Sequence, residues 1–267
     1  MLIKYYANFI FKNLELHFRA FPQLTKARMY RYMVEMRRKT GYPCGTLSMD
    51  GKHIPIVAPN NSGSEFYNYK QFFSIVLLVA VNVNAEFITY DIGAAGRMSD
   101  SQIFNNSNMK ILLLDDSLYP PHQNLGQCGQ VPVHVLADGG FALHQRVMRP
   151  FSNQESAADP KKAYFNNKYS GVRRIVECAF GILSGRFRVL RQTQTASPET
   201  VQKTVLATMI LHNLMVNSLG TDAVRDRFAD NSGTLQNVSV QNSGVMSRDA
   251  KIFRDRLANF FWLNRTI

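Results

Sequence analysis

Apolar and aromatic positions recur at three- and four-residue steps through the start of the chain, first Ile10, Phe11, Leu14 and Phe18, then Met29, Met33 and Met36. That period predicts helix over residues 1–45, broken at Phe21-Pro22. Turn residues gather at Tyr42-Pro43-Cys44-Gly45, and after them the period changes to alternation, so a strand is predicted from Thr46 to Ile56. It carries one acid, Asp50, in its middle, followed at once by Gly51. Two β-rich runs follow, Phe72 to Val81 and Glu86 to Ile92, with asparagines at the Asn82-Val83-Asn84-Ala85 joint, which predicts a hairpin. Residues 93–96 read as a loop leading to Ser99, a suitable cap for a short helix that includes Asp100.

Farther on, Val131 to Ala137 reads as a buried strand that ends on Asp138-Gly139-Gly140, the place where open α/β sheets present functional groups. The polar stretch 152–170 reads as loop, with entry to a helix at Tyr169-Ser170. That helix has a clear apolar stripe, Val172, Ile175, Val176, Ala179, Phe180 and Leu183, and Glu177 sits beside it, at the rim rather than on the buried face. A second helix is predicted from Pro198 to Asn217, a polar tail over 221–250, and an amphipathic helix from Ile252 to Leu263. The expected organisation is a helical segment over 1–45, a mixed α/β domain over 46–217, and a tail over 218–267.

Composition narrows the classes. A 45% hydrophobic content over 267 residues is that of a globular chain with a sizeable core. The longest apolar run, Ile75 to Val81, is far short of the ~20 residues of a membrane span. No secretory signal pattern opens the chain, so an intracellular protein without a membrane is expected. Cys44, Cys128 and Cys178 are widely separated and form no Cys-x-x-Cys pair, which argues against disulfides and thiolate zinc sites. The formal charge is +12, and it is uneven: residues 1–40 hold nine Lys/Arg against two acids, residues 141–195 ten against three. Such a surface attracts polyanions, nucleic acid first among them.

In this order a strand with Asp50, a strand ending at Asp138 and a helix carrying Glu177 can bring three carboxylates to one sheet edge. Like charges held close raise one another's pKa, and divalent cations remove that conflict. Magnesium-type ions favour oxygen ligands and leave positions for water and phosphate oxygens; two ions roughly 4 Å apart can activate water and stabilise a leaving oxygen. Taken singly, each acid also fits an ordinary role. Asp50 and Asp138 suit turns before glycine, and Glu177 suits an i,i+4 pair with Arg173.

Six strings decide between these readings: Ser48-Met49-Asp50-Gly51-Lys52-His53-Ile54; Tyr67-Asn68-Tyr69-Lys70; Gly96-Arg97-Met98-Ser99-Asp100-Ser101; Leu136-Ala137-Asp138-Gly139-Gly140-Phe141; Arg173 to Gly181 with Gly185-Arg186-Phe187-Arg188; and Leu211-His212-Asn213. In their order, across about residues 45–215, they resemble the Harbinger transposase-derived nucleases, the DDE superfamily endonucleases of the PIF/Harbinger group. The resemblance implies an RNase H-like mixed sheet flanked by helices. It implies that Asp50, Asp138 and Glu177 are the catalytic acids and ligands of two Mg²⁺ or Mn²⁺ ions. Asp100 falls in a family string as a helix cap or an auxiliary ligand. Arg173, Arg174, Arg186 and Arg188 are implied to bind DNA phosphate. His53 and His212 read as structural hydrogen-bonding groups.

The implied activity is metal-dependent cleavage or transesterification of DNA phosphodiester bonds. The alternative is a domesticated, non-catalytic DNA-binding or adaptor protein that keeps the fold. Relatives carry a longer N-terminal region with a helix-turn-helix-like segment, so a separate DNA-binding protein partner and an oligomer are both compatible with the chain. The family implies the nucleus as its location, with the cytoplasm also open.

Overall fold

A computed structural model describes residues 14–228 and 247–265. Its helices are α1 (Leu14–Ala20), α2 (Lys26–Thr40), α3 (Asp100–Asn106), α4 (Asn108–Leu114), α5 (Asn153–Ala158), α6 (Pro160–Arg186), α7 (Pro198–Leu219), α8 (Thr221–Phe228) and α9 (Arg248–Leu263). The strands are β1 (Gly45–Pro55), β2 (Ser74–Val81), β3 (Phe87–Ala95), β4 (Gln123–Asn124), β5 (Gln130–Val131), β6 (His134–Leu136) and β7 (Val147–Met148). Five of them form a mixed sheet in the order β3-β2-β1-β6-β7, flanked by helices, the arrangement expected of an RNase H-like fold. The strands β4 and β5 make a separate antiparallel pair. No helix among the described residues is long and apolar enough to cross a membrane.

The chain forms two compact units, and among the described residues the divisions fall after Gln23, inside β1 after Met49, inside α4 after Met109, and inside α6 after Ile175. The first unit takes in the described residues of Met1–Gln23, Asp50–Met109 and Val176–Leu235. Its centre is β2, buried along its whole length, paired antiparallel with β3. The joint between these strands is held by Asn82, whose side-chain oxygen accepts from the backbone of Asn84 at 2.9 Å and of Glu86 at 3.1 Å, with Ala85 at a positive φ of 58°. The strand β3 extends to Ala95, so the predicted loop at residues 93–96 is largely strand. The helix α7 closes this unit through its Leu211-His212-Asn213 string. Asn213 accepts from Phe87 N–H and donates to the carbonyls of Phe87 and Ala20, while His212 Nε2 donates to the Ala85 carbonyl at 2.8 Å. Both side chains are buried, and burial pushes the His212 pKa down to about 4. They are therefore structural groups that tie α7 to the β3 entry.

The second unit takes in the described residues of Leu24–Met49, Lys110–Ile175 and Gln236–Ile267. Here the first half of β1 runs parallel to β6, with Gly45 opposite His134 and Ser48 opposite Leu136, and β6 runs parallel to β7. A glycine is required at position 45 because an added Cβ would collide with Met36, Leu136 and Tyr42 side chains, the close approach that seats α2 on the strand. The predicted loop over 152–170 is instead α5 and the first turns of α6. Ser152 and Glu155 form a capping box for α5, and Asp159 caps α6, its carboxylate accepting from Lys161 N–H at 2.9 Å with Pro160 opening the helix. The apolar stripe of α6 runs two turns earlier than the sequence reading had it, through buried Phe165 and Tyr169. In the predicted tail, 221–228 are α8, residues 229–246 lie outside the described residues, and the last helix, α9, starts at Arg248.

Candidate active site

Asp50 belongs to the first unit and lies in the middle of β1, only 6% exposed. Side chains alternate along a strand, so Asp50 and Lys52 share one face and Gly51 looks to the other. The Lys52 ammonium lies 5.6 Å from the centre of the Phe180 ring, and Phe180 stands three residues beyond Glu177 on α6. The face of β1 that carries Asp50 is thus the face met by the Glu177 segment of the helix. Burial lowers the pKa of Lys52, the charges of Lys70 and Arg191 lower it further, and Asp50 opposes them. Lys52 is accordingly a cation held close to the aspartate in a site of limited hydration, a residue marked in the sequence only by its place in a family string.

Asp100 lies against the opposite face. A Cβ added at Gly51 would overlap the Asp100 carboxylate, which fixes that acid beside the backbone of residue 51. The cap of α3 is Ser99, in a capping box with Gln102, and Asp100 is the first helical residue, where its charge favours the helix N-terminus. Two residues past Gly51, His53 hydrogen-bonds the Ser74 hydroxyl through Nδ1 at 2.9 Å; burial and then the charges of Lys70 and Lys52 push its pKa to about 4.

Asp138 belongs to the second unit. The strand β6 ends at Leu136, and Asp138 opens the turn beyond it, half-buried, with Oδ1 accepting from Gly140 N–H at 2.8 Å. Two side chains hold that turn. The Tyr169 hydroxyl, fully buried on α6, accepts from Ala137 N–H at 2.9 Å and lies 2.7 Å and 2.6 Å from the carbonyl oxygens of Ala137 and Met148. Arg149 donates through Nη1 to the carbonyls of Gly139 and Phe141, both at 3.0 Å. Tyr169 was within reach of sequence reading, since it stands seven residues before Val176 on the buried stripe; Arg149 carries no pattern that would reveal it.

The four arginines divide. Arg173 and Arg174 precede Glu177 by one turn, Arg174 exposed and Arg173 half-buried with its charge bearing on Tyr169. Arg186 ends α6 and stacks on Phe187 and Phe228, with its guanidinium 5.4 Å and 5.1 Å from the ring centres, and exposed Arg188 opens the following 3-10 turn. All three cysteines are free, and burial pushes the Cys44 thiol up to about 12.

The three acids expected from the sequence, Asp50, Asp138 and Glu177, are all carboxylates, a ligand type that suits Mg²⁺ or Mn²⁺ and ill suits zinc or copper. Among the described residues no three His, Cys, Asp or Glu side chains are drawn together as a formed metal cage. What the donor set supports is therefore a fit in ligand type, with Asp138 anchored by its own turn and Asp50 by its strand.

Residues 49–213, more than half of the chain and a span that includes all three acids, match the family model described as DDE superfamily endonuclease. Among curated proteins, "Putative nuclease HARBI1" of Bos taurus is 24% identical over 173 residues, covering 62% of this chain and 44% of its own. The Homo sapiens protein of the same name is 24% identical over 169 residues with the same coverage. "Protein ALP1-like" of Arabidopsis thaliana is 19% identical over 178 residues, covering 65% of this chain and 43% of its own. The chain thus spans less than half the length of these relatives. No solved structure matches it. With most of its length matched by one model, the chain belongs to the DDE superfamily endonucleases.

Proposed function

We propose that this chain is a metal-dependent DNA endonuclease or transposase-like phosphoryl transferase, in which Asp50, Asp138 and Glu177 hold two Mg²⁺ or Mn²⁺ ions. The observation that carries the proposal is that the matched region includes all three acids on a mixed sheet and its helix, Asp50 on β1, Asp138 just past β6 and Glu177 on α6. When bound, the ions would supply the activation of water or a 3′-hydroxyl and the neutralisation of charge on the phosphate. The residues themselves do the positioning. Burial of Asp50 in the strand fixes its carboxylate before any ligand arrives, which limits the cost of ordering at the reacting centre. The turn at Asp138 holds one carboxylate oxygen on Gly140 N–H and leaves the side chain at a strand end, where a substrate can approach. Lys52 adds a cation close to Asp50 that favours a phosphate oxygen, and Arg174 and Arg188 add exposed charge that places a duplex without reading its sequence. A nuclear place of action and a separate DNA-recognition partner follow from the same reading.

The test is nicking of supercoiled plasmid in Mg²⁺ or Mn²⁺ by the wild-type chain beside Asp138→Ala, with metal binding followed by calorimetry on the same samples. Nicking and metal binding should be lost together in the variant. A wild-type chain that binds DNA but neither binds metal nor nicks would sink this reading in favour of a non-catalytic DNA-binding protein.

A further inference from the structure

Between β1 and β2 the chain turns a tight corner built around Asn68. This side chain is buried; its oxygen accepts from Lys70 N–H at 2.9 Å and Phe72 N–H at 3.3 Å, and its nitrogen donates to the Ser74 hydroxyl at 2.8 Å. The same hydroxyl bonds His53, three residues along β1 from Asp50 and therefore about 10 Å from it along the strand. Tyr67 anchors the corner from the other side, its ring 5.1 Å from that of Phe73. Gln71 is held at a positive φ of 67°, a strained setting for a residue with a Cβ. What all this ordering presents to solvent is Tyr69, 57% exposed, one edge of its surroundings formed by the His53 ring at 5.5 Å and Lys70 placed 5.5 Å from its ring centre.

A large aromatic side chain left that exposed on a rigid corner contributes little to the core. The charge beside the ring is a cation, the Lys70 ammonium, which also acts on the His53 imidazole that lies against the ring. An exposed aromatic ring beside a cation is an arrangement that holds a single-stranded polynucleotide, by stacking on a base while the cation takes a phosphate. A paired duplex offers no base face to such a ring, and phosphates alone would not require one.

We propose that the Asn68 corner is a stacking platform for one unpaired nucleobase of a DNA strand, with Tyr69 under the base and Lys70 on a neighbouring phosphate. The choice of DNA rests on the nuclease reading; the platform itself rests on the geometry of the corner. The site would seat a strand that carries an unpaired base, which gives a preference for substrates with unpaired bases.

The test is fluorescence anisotropy of the full chain with a labelled oligonucleotide of about 20 nucleotides, single-stranded or as its duplex, in EDTA so that neither metal nor cleavage enters. Tyr69→Ala should weaken single-strand binding by about tenfold and barely move duplex binding, whereas Tyr69→Trp should keep or tighten it. Lys70→Ala should weaken both and lower the salt slope by about one. Equal loss in both forms for Tyr69→Ala, or no loss, overturns the platform. Should the alanine variant fail to fold, loss of the single-strand preference in Tyr69→Trp overturns it instead. A chain that shows the Tyr69-dependent preference but never nicks retains the platform and loses the nuclease; a chain that nicks with Tyr69-indifferent binding does the reverse.

Discussion

The two Asp-Gly pairs of the candidate site are the same in sequence and unlike in structure. At Asp50-Gly51 the glycine is required by space, because the Asp100 carboxylate occupies the place a Cβ would take. At Asp138-Gly139 nothing lies within 4 Å of an added Cβ, and the residue keeps a negative φ, so neither space nor backbone demands a glycine. There the aspartate does the ordering, through its bond to Gly140 N–H. A dipeptide that looks like a turn signal is thus a close approach of a second acid in one unit and an ordinary turn in the other.

Substituting alanine at each glycine separates the two most sharply. Gly51→Ala must displace Asp100, and loss of a group that supports a ligand costs about 10- to 100-fold in activity, so plasmid nicking should fall by that order. Gly139→Ala should leave nicking unchanged and stability within about 0.5 kcal/mol. Equal effects at the two positions would show that Asp100 has no part in holding the Asp50 region.

The next contrast is in how the units respond to acid. His134 in the second unit donates from Nδ1 to the Pro132 carbonyl and accepts from the Tyr42 hydroxyl at Nε2, so the buried ring is neutral and fully bonded. In the first unit, His212 uses Nε2 on the Ala85 carbonyl, and its buried Nδ1 has no partner among the described residues. Burial pushes both to about 4, below the unfolded value of 6.5. Because the unfolded chain binds the extra protons, stability is full above about pH 6.5 and falls as pH drops toward 4, on the order of 1 kcal/mol per pH unit for each histidine. Denaturant melts between pH 7 and 4 measure this, and the slope should shrink in His212→Gln. A flat profile would mean that these rings are not neutral in the folded chain.

Much of this was legible in the sequence, for reasons that differ by element. The hairpin was readable because two β-rich runs flank an asparagine joint, and the Glu177 helix because its stripe keeps one period. The start of α6 was not, since Lys161, Asn167 and Lys168 fill its solvent face and hide a buried stripe reduced there to Phe165 and Tyr169. The three acids were singled out through family strings; periodicity alone left each an ordinary alternative. Tyr169 acts through hydroxyl contacts to residues 32 and 21 positions away, and Arg149 and Asn68 through guanidinium and amide contacts to nearby turns, none of which leaves a periodic trace.

The smallest expected effect concerns Tyr169, and it is best read against Tyr42 in the same unit. Tyr169→Phe removes a buried hydroxyl that bridges the ends of β6 and β7 just ahead of Asp138, but Ala137 N–H keeps its backbone bond to the Met148 carbonyl at 2.9 Å. The stability cost should therefore be that of a typical hydrogen bond, about 0.5–1.5 kcal/mol. Tyr42→Phe takes the partner from His134 Nε2 and leaves a buried acceptor unmet, which costs about 1–3 kcal/mol. If the Tyr169 hydroxyl positions Asp138, calorimetry should show weaker Mn²⁺ binding in Tyr169→Phe, while Tyr42→Phe, the less stable of the two, binds as the wild type does. Metal affinity that follows stability through both variants would reduce the Tyr169 contact to packing alone, and would leave Arg149 as the side chain that fixes the Asp138 turn.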